Sequence, residues 1–307
     1  MEIYAVRAGD TLYSVAKKYS VDPSRLADAN QLADPSRLAV GSALVIPGYG
    51  GGALRQAEVN GYAYPNIPAA VLNATLPYLT FFCPFSYSMT ADGALLPIDD
   101  RPLVFSAYAA NTAPLMTVTN LGSSGGFSGD IAHAVFTDEA VQTRVIDSIL
   151  STLREKKYYG INFNIEYVHP FDREGYNAFL RRAADTFHPL GYYLSTAIAP
   201  KTSDAQGGLL YQAHDYAAHG EYMDRVIVMT YEWGYTYSSP QAVSPVDRMR
   251  RVLEYAVTRI PPGKLLMGFS NYGYNWQLPW RQGEAASVVS SAAATALRGR
   301  TPSAVGD

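Results

Sequence analysis

Cysteine is almost absent from this 307-residue chain, where Cys83 stands alone. A single thiol excludes an internal disulfide and any metal site built from cysteines. It lies in the apolar run Leu79 to Phe85, where a buried structural thiol is expected. Histidine is sparse too. His133, His169, His188, His214 and His219 lack the short spacings of metal ligands, so no metal is expected, and nothing implies a cofactor. Charge is scarce and nearly balanced, with 24 basic and 27 acidic residues and a net charge of −3. No basic patch points to nucleic acid or anionic lipid as a partner. No apolar run reaches the roughly 18 residues of a spanning helix, so no membrane span is expected. The first twenty residues mix charged and polar side chains and lack the pattern of a secretory leader. Either the protein stays in the compartment where it is made, or a leader is missing. Tyrosine, by contrast, is abundant, at 24 residues. Its flat face and hydroxyl suit both sugar rings and ordinary cores, and composition alone favours the cores.

The clearest break in the chain is the glycine-rich stretch after Pro47. A domain over 1–47, a linker over 48–54 and a second domain over 55–307 are expected. The first part reads as strand, helix, helix, strand. Ile3 to Val6 is a short strand. Asp10 or Thr11 caps a helix that carries Leu12, Val15, Ala16 and Tyr19 at helical spacing. Asp22-Pro23 opens a second helix, and Ala43 to Ile46 is the closing strand. Gly9-Asp10-Thr11-Leu12, Asn30 and the terminal Gly41…Leu44-Val45-Ile46-Pro47 together resemble the LysM module over its whole length. The resemblance implies a small α+β module that binds N-acetylglucosamine-containing glycans in a shallow groove. Gly9, Asp10, Thr11, Leu12 and Asn30 would lie at or near that groove. Asp10 and Thr11 are equally good helix caps, and the two roles are compatible.

The second part alternates strand-like with helical runs, which predicts α/β with a parallel sheet. The strand runs are Val59–Tyr64, Tyr78–Tyr87, Leu115–Leu121, Gly160–Val168, Tyr192–Ala199, Arg225–Trp233 and Leu265–Tyr274. Apolar residues recur at helical spacing over 138–155 and 172–188. A (β/α)8 barrel and an open doubly wound sheet both fit. The absence of a glycine-rich phosphate loop after the first strand counts against a nucleotide-binding sheet.

The fourth run carries the chemistry. Asn162, Asn164 and Glu166 share one face of a strand that should be nearly all apolar if buried on both sides. Three polar residues ending in a carboxylate at the strand's C-terminal end suit the place where barrels hold their active sites. A hydrogen-bonded polar layer with an ion-paired Glu166 is the structural alternative. Residues 159–166 resemble the glycoside hydrolase family 18 signature, D-x-x-D-x-D-x-E. Met229-Thr230-Tyr231-Glu232-Trp233 and Phe269 to Trp276 resemble the family's sixth- and seventh-strand motifs, and Asn60-Gly61-Tyr62 and Phe85-Ser86-Tyr87 suit its first two strands. Finer detail, together with the LysM-like start, resembles the spore cortical-fragment lytic branch. The family fold is the (β/α)8 TIM-type barrel.

The resemblance implies a substrate-assisted retaining glycosidase, an exception to the two-carboxylate scheme. Glu166 would be the general acid, Asn164 would hold the substrate acetamide from the position before it, and Tyr231 would hold the acetamide oxygen. Asn162, Tyr62, Tyr87, Glu232, Trp233 and Tyr272 would line the sugar site. Peptidoglycan or N-acetylglucosamine oligosaccharides are the implied partners, spore cortex fragments the expected substrate, and the spore coat, cortex or cell wall the expected location. Two departures stand out. Tyr159, Asn162 and Asn164 replace the three aspartates of the signature, and no counterpart of the barrel's last strand follows Trp280. A weakly active or inactive glycan-binding or spore-coat protein of the same fold is therefore the alternative. Residues 1–47, made alone, are expected to bind peptidoglycan weakly. A pull-down on insoluble peptidoglycan checks this, and no retention of the isolated module overturns it.

Overall fold

In the computed structural model, residues 2–30, 32, 34–38, 40–48 and 57–290 are described. Beyond Gly48, the expected linker lies outside them. Two compact units emerge. The larger comprises Ala57–Thr230 and Val246–Gly268, and the smaller takes the described residues of 1–56, 231–245 and 269–307. Local pairing marks the smaller unit's segments. Trp233 and Gly234 donate their N–H groups to Val243 and Ala242, closing 231–245 on itself, and residues beyond 269 form their own hairpin.

In the N-terminal module β1 (Glu2–Ala5) pairs antiparallel with β2 (Ala43–Ile46), and α1 (Leu12–Lys18) and α2 (Pro23–Ala29) lie between them in sequence. Thr11 and Ser14 form a reciprocal cap at the start of α1, and Asp22 caps α2. The apolar positions read from the sequence meet in one core of Tyr4, Val6, Leu12, Val15, Ala16, Leu26, Leu44 and Ile46.

The larger unit runs β3 (Asn60–Ala63), α3 (Ala69–Thr75), β4 (Phe81–Pro84), β5 (Tyr87–Met89), β6 (Leu95–Leu96), α4 (Arg101–Ala109), β7 (Ala113–Thr119), α5 (Gly129–Thr137), α6 (Glu139–Lys156) and β8 (Gly160–Asn164). It continues through α7 (Arg173–Phe187), β9 (Tyr193–Ile198), α8 (Tyr216–Tyr222), β10 (Arg225–Val228), α9 (Val246–Ala256) and β11 (Leu265–Met267). Among the described residues, seven strands pair in parallel in the order β11-β10-β9-β8-β7-β4-β3, as the strand and helix runs predict for a TIM-type fold. The second run divides into β4 and β5, both alongside β7. The seventh run also divides. Only Leu265–Met267 joins the sheet, whereas Tyr272–Asn275 forms β12 and pairs with β13 (Ser287–Ser290) in the smaller unit.

The sheet is rolled, not flat. Three strand spacings separate β3 from β8, about 14 Å in a flat sheet, yet Tyr62 of β3 donates to Asn162 Oδ1 of β8 at 2.9 Å. Five spacings, about 24 Å flat, separate β3 from β10, yet Glu58 before β3 takes both arms of the Arg225 guanidinium, at 2.6 and 2.5 Å. Phe81 of β4 stacks on Tyr193 of β9, their ring centres 4.5 Å apart. At the centre of the sheet Gly160 lets β8 and β9 close up, because a Cβ there would sit 2.1 Å from the Tyr193 carbonyl oxygen. The helical faces follow the sequence periodicity. Tyr176, Phe179, Leu180, Ala183, Ala184 and Phe187 of α7 are buried, as are Val141, Val145, Ile146, Ile149 and Leu153 of α6. No helix among the described residues is long and apolar enough to cross a membrane.

A buried ionic knot ties β5, α4 and α6 together. Asp100, with no exposure, accepts from the hydroxyls of Tyr87 and Tyr158 and from the Lys156 ammonium, which also donates to Tyr87 and to the Ile98 carbonyl. Removing one partner strands the other charge in the interior. The Asp100→Ala variant should lose about 3–5 kcal/mol of stability, and urea unfolding would measure it.

Candidate active site

The polar face of β8 divides into two kinds of residue. Asn162 belongs to a closed polar layer inside the rolled sheet. It is fully buried, accepts from Tyr62, and donates from Nδ2 to Ser195 Oγ at 2.9 Å, and Ser195 donates on to the Ile161 carbonyl. Cys83 joins the same interior, its thiol 3.3 Å from Asn60 Oδ1 and pushed up to about 12 by burial. Asn162 is thus committed to the fold, and the structural alternative raised by its pattern holds for this position. Tyr62 has a hydroxyl held by Asn162 but is 38 % exposed, with its ring edge-on to Phe85. It retains surface for a ligand.

Asn164 is different. It ends β8, sits between Thr119 of β7 and Ala197 of β9, and is 7 % exposed. Its Oδ1 is buried and has no hydrogen-bond partner among the described residues. Glu166 follows two residues beyond the strand end and is half-buried. Its backbone is fixed by residues the sequence reading did not single out. Asn120, directly after β7, accepts from Glu166 N–H at 3.0 Å and donates to the Glu166 carbonyl at 2.7 Å. His214 lies 3.0 Å from the Ile165 carbonyl through Nε2 and accepts the Ala199 N–H at Nδ1. Burial pulls the imidazole down to about 4; the bond to Ile165 opposes this shift and the Lys201 charge adds to it. The ring is therefore neutral at physiological pH, with its proton on Nε2. Tyr176, on α7, is fully buried and stays protonated, because burial, reinforced by the negative charge of Glu166, drives its phenol upward. An asparagine ending the apolar run Leu115–Leu121 was the available signal for Asn120. His214 gave none, because its partners are backbone groups.

Tyr87 is corrected. It was expected at the sugar, but it is 1 % exposed and its hydroxyl is engaged in the Asp100 knot, so it has no face to offer. In the smaller unit, Glu232 adopts a left-handed φ of 67° and its exposed carboxylate accepts from the hydroxyls of Tyr272 and Tyr274. Burial, then the bond to Glu232, pushes Tyr274 up to about 12 and Tyr272 further. Tyr231 and Trp233 flank Glu232 and are half-buried. The expected Glu232 and Tyr272 positions are thus brought together, and Tyr231 and Trp233 neighbour Glu232 in sequence.

The LysM positions carry more structure than the sequence reading gave them. Asn30 uses its whole carboxamide internally, donating to Leu26 and Val45 carbonyls and accepting from Val45 N–H. One carboxylate oxygen of Asp10 accepts from Tyr4 and from Arg7 N–H. Leu12 is a core residue, Thr11 a helix cap, and Gly9 takes a left-handed φ of 87° in the turn. Their hydrogen bonds and packing shape the turn and the core.

The model of the glycosyl hydrolases family 18 matches residues 111–297 and the LysM domain model matches residues 4–47. The chain belongs to glycoside hydrolase family 18 and carries a LysM domain. It is 38 % identical to the cortical fragment-lytic enzyme of Bacillus subtilis (strain 168), over 92 % of this chain and 78 % of that protein. Its likeness to the cortical fragment-lytic enzyme of Bacillus anthracis is 39 %, over 97 % of this chain and 81 % of that one. The crystal structure of the Bacillus cereus spore cortex-lytic enzyme SleL superposes with a TM-score of 0.78 at 38 % identity, covering 97 % of this chain and 70 % of that one. A chitinase from Chromobacterium violaceum ATCC 12472 shares the fold, with a TM-score of 0.72 at 24 % identity over 80 % of this chain and 77 % of that one.

The placement of Tyr87 gives a clean expectation. Tyr87→Phe removes a buried hydroxyl from Asp100 and should cost about 1–3 kcal/mol of stability. Affinity for N-acetylglucosamine oligomers, measured by titration calorimetry, should not change. A lost affinity at retained fold would return Tyr87 to the sugar site.

Proposed function

We propose that this protein hydrolyses N-acetylglucosamine-containing glycosidic bonds of bacterial peptidoglycan, with spore cortex fragments as substrate. The observation that carries this reading is the buried, unpartnered Oδ1 of Asn164, two residues before Glu166. An acceptor left unpaired in the interior costs about 1–3 kcal/mol, and the N–H of a 2-acetamido group is the donor that would relieve it. Membership of family 18 and the likeness to cortical fragment-lytic enzymes support the substrate class.

The mechanism proposed is substrate-assisted. The Glu166 carboxyl gives its proton to the glycosidic oxygen as the bond to the anomeric carbon breaks. The acetamide oxygen of the same sugar bonds to that carbon, forming a cyclic oxazolinium ion, and Asn164 orients the acetamide. The Glu166 carboxylate then takes a proton from water as the water oxygen adds to the anomeric carbon and the ring opens. One protein carboxylate handles both proton transfers. Asn164 accepts a hydrogen bond but carries no charge, so the positive ring is poorly compensated. That neutrality also favours a second reading, a glycan-binding protein with little turnover. In either reading the LysM domain holds the chain on wall glycans, adding to affinity only when both modules engage one polymer, and places it at the spore cortex or cell wall.

The test is the initial rate on a defined cortex fragment for the parent, Asn164→Asp, Glu166→Gln and the double variant. Asn164→Asp should gain at least about tenfold, roughly 1.4 kcal/mol of barrier, because the new charge acts mainly on the transition state. Glu166→Gln should abolish turnover in both backgrounds. Absence of a gain, with Glu166-dependent turnover in the parent, overturns the role given to Asn164. Binding without turnover in all four favours the second reading.

A further inference from the structure

Glu166 lies two residues past the last ladder residue of β8, so its carboxyl is attached to chain that the sheet does not hold. Asn120 holds it instead. This side chain is fully buried, one residue past the end of β7. Its Oδ1 takes the Glu166 N–H at 3.0 Å and its Nδ2 gives a hydrogen to the Glu166 carbonyl at 2.7 Å and to the Ser128 carbonyl at 2.9 Å. A carboxamide is the same donor and acceptor pair as a backbone amide, so Asn120 supplies the rung of ladder that β7 and β8 lack at this level. The preceding carbonyl is anchored from the segment between β9 and α8. His214 Nδ1 receives the Ala199 N–H, which leaves Nε2 to carry the proton and donate it to the Ile165 carbonyl at 3.0 Å. Three hydrogen bonds from two buried side chains therefore fix residues 165 and 166 between the ends of β7 and β9.

We propose that Asn120, backed by His214, is a positioning residue for the acid, setting where the Glu166 carboxyl stands without touching substrate. The role rests on the hydrolase reading above, since only proton transfer to a fixed oxygen demands such placement. A displacement near 1 Å in the position of a proton donor costs up to about a hundredfold in rate. Only a carboxamide provides both halves of the rung. Leucine has nearly the shape and neither half, and an ionised aspartate keeps the acceptor and loses the donor.

The experiment compares the full chain with Asn120→Leu and Asn120→Asp in two measurements. The first is amide hydrogen exchange at Glu166, which does not depend on activity. In Asn120→Leu, exchange at Glu166 should accelerate at least tenfold while Ile161 to Asn164 keep their protection. The second is kcat and KM on a cortex fragment, with Glu166→Gln as control. Asn120→Leu should lower kcat at least tenfold and leave KM within about twofold, and Asn120→Asp should fall between it and the parent. Unchanged exchange at Glu166 overturns the clamp, and so does an unchanged kcat where the parent turns over through Glu166. Uniform loss of protection along β8 assigns Asn120 to stability alone and also overturns it. If Asn120→Leu does not fold, Asn120→Ala, which also removes both halves of the rung, decides by the same readings. A parent without Glu166-dependent turnover defeats the hydrolase reading, and exchange at Glu166 still decides whether Asn120 holds that peptide.

Discussion

A polar residue on a strand buried from both sides must find its partner inside the sheet, and this constraint organises the larger unit. Asn162 can be satisfied only if β3 bends round until Tyr62 reaches it. The same curvature brings Glu58 to Arg225 and Phe81 to Tyr193. Rolling the sheet turns one face into a lined interior with a floor of exchanged hydrogen bonds. Above that floor lies Asn164, whose Oδ1 has the polarity of the layer below and no hydrogen-bond partner among the described residues. The difference between Asn162 and Asn164 is two residues of strand. It is also the difference between a group that builds the fold and one available to a ligand.

The backbone at residues 165 and 166 is fixed by side chains from neighbouring elements. Asn120 follows β7, His214 precedes α8 and Lys201 follows β9, where it is buried and bonded through its ammonium to the His214 carbonyl. Each of these bonds runs to backbone. Tyr62, by contrast, keeps exposed surface, and in the smaller unit two phenols grip the Glu232 carboxylate.

Much of this was legible in the sequence where one periodicity dominates. Alternation on β8 exposed Asn162, Asn164 and Glu166 as a set, and the 3.6 spacing of α6 and α7 gave their buried faces directly. What escaped were partnerships across long separations. Tyr87 sits beside motif residues and has the right chemistry for a sugar, but Asp100 and Lys156 claim it through a fold that no local pattern displays. The run Leu265–Tyr274 reads as one strand because hydropathy does not mark where a chain leaves a sheet. Within it, Gly268 to Asn271 separate the residues that pair with β10 from those that pair with β13. Asn120 and the internal role of Asn30 were hidden for a common reason. An asparagine that substitutes for backbone looks in sequence like any other asparagine at the end of an element.

The lone thiol has a use of its own. Cys83 faces the rolled interior with no exposed area, and burial holds it in the unreactive protonated form. A modifying reagent reaches it only when the strands around it part, since the reactive species is the thiolate. The chain therefore contains a built-in clock for barrel opening. Each labelling event records one excursion of the β3–β4 region into solvent. Because no second cysteine competes, the labelling rate, where modification outpaces reclosing, reads how often the rolled sheet opens without any engineered probe.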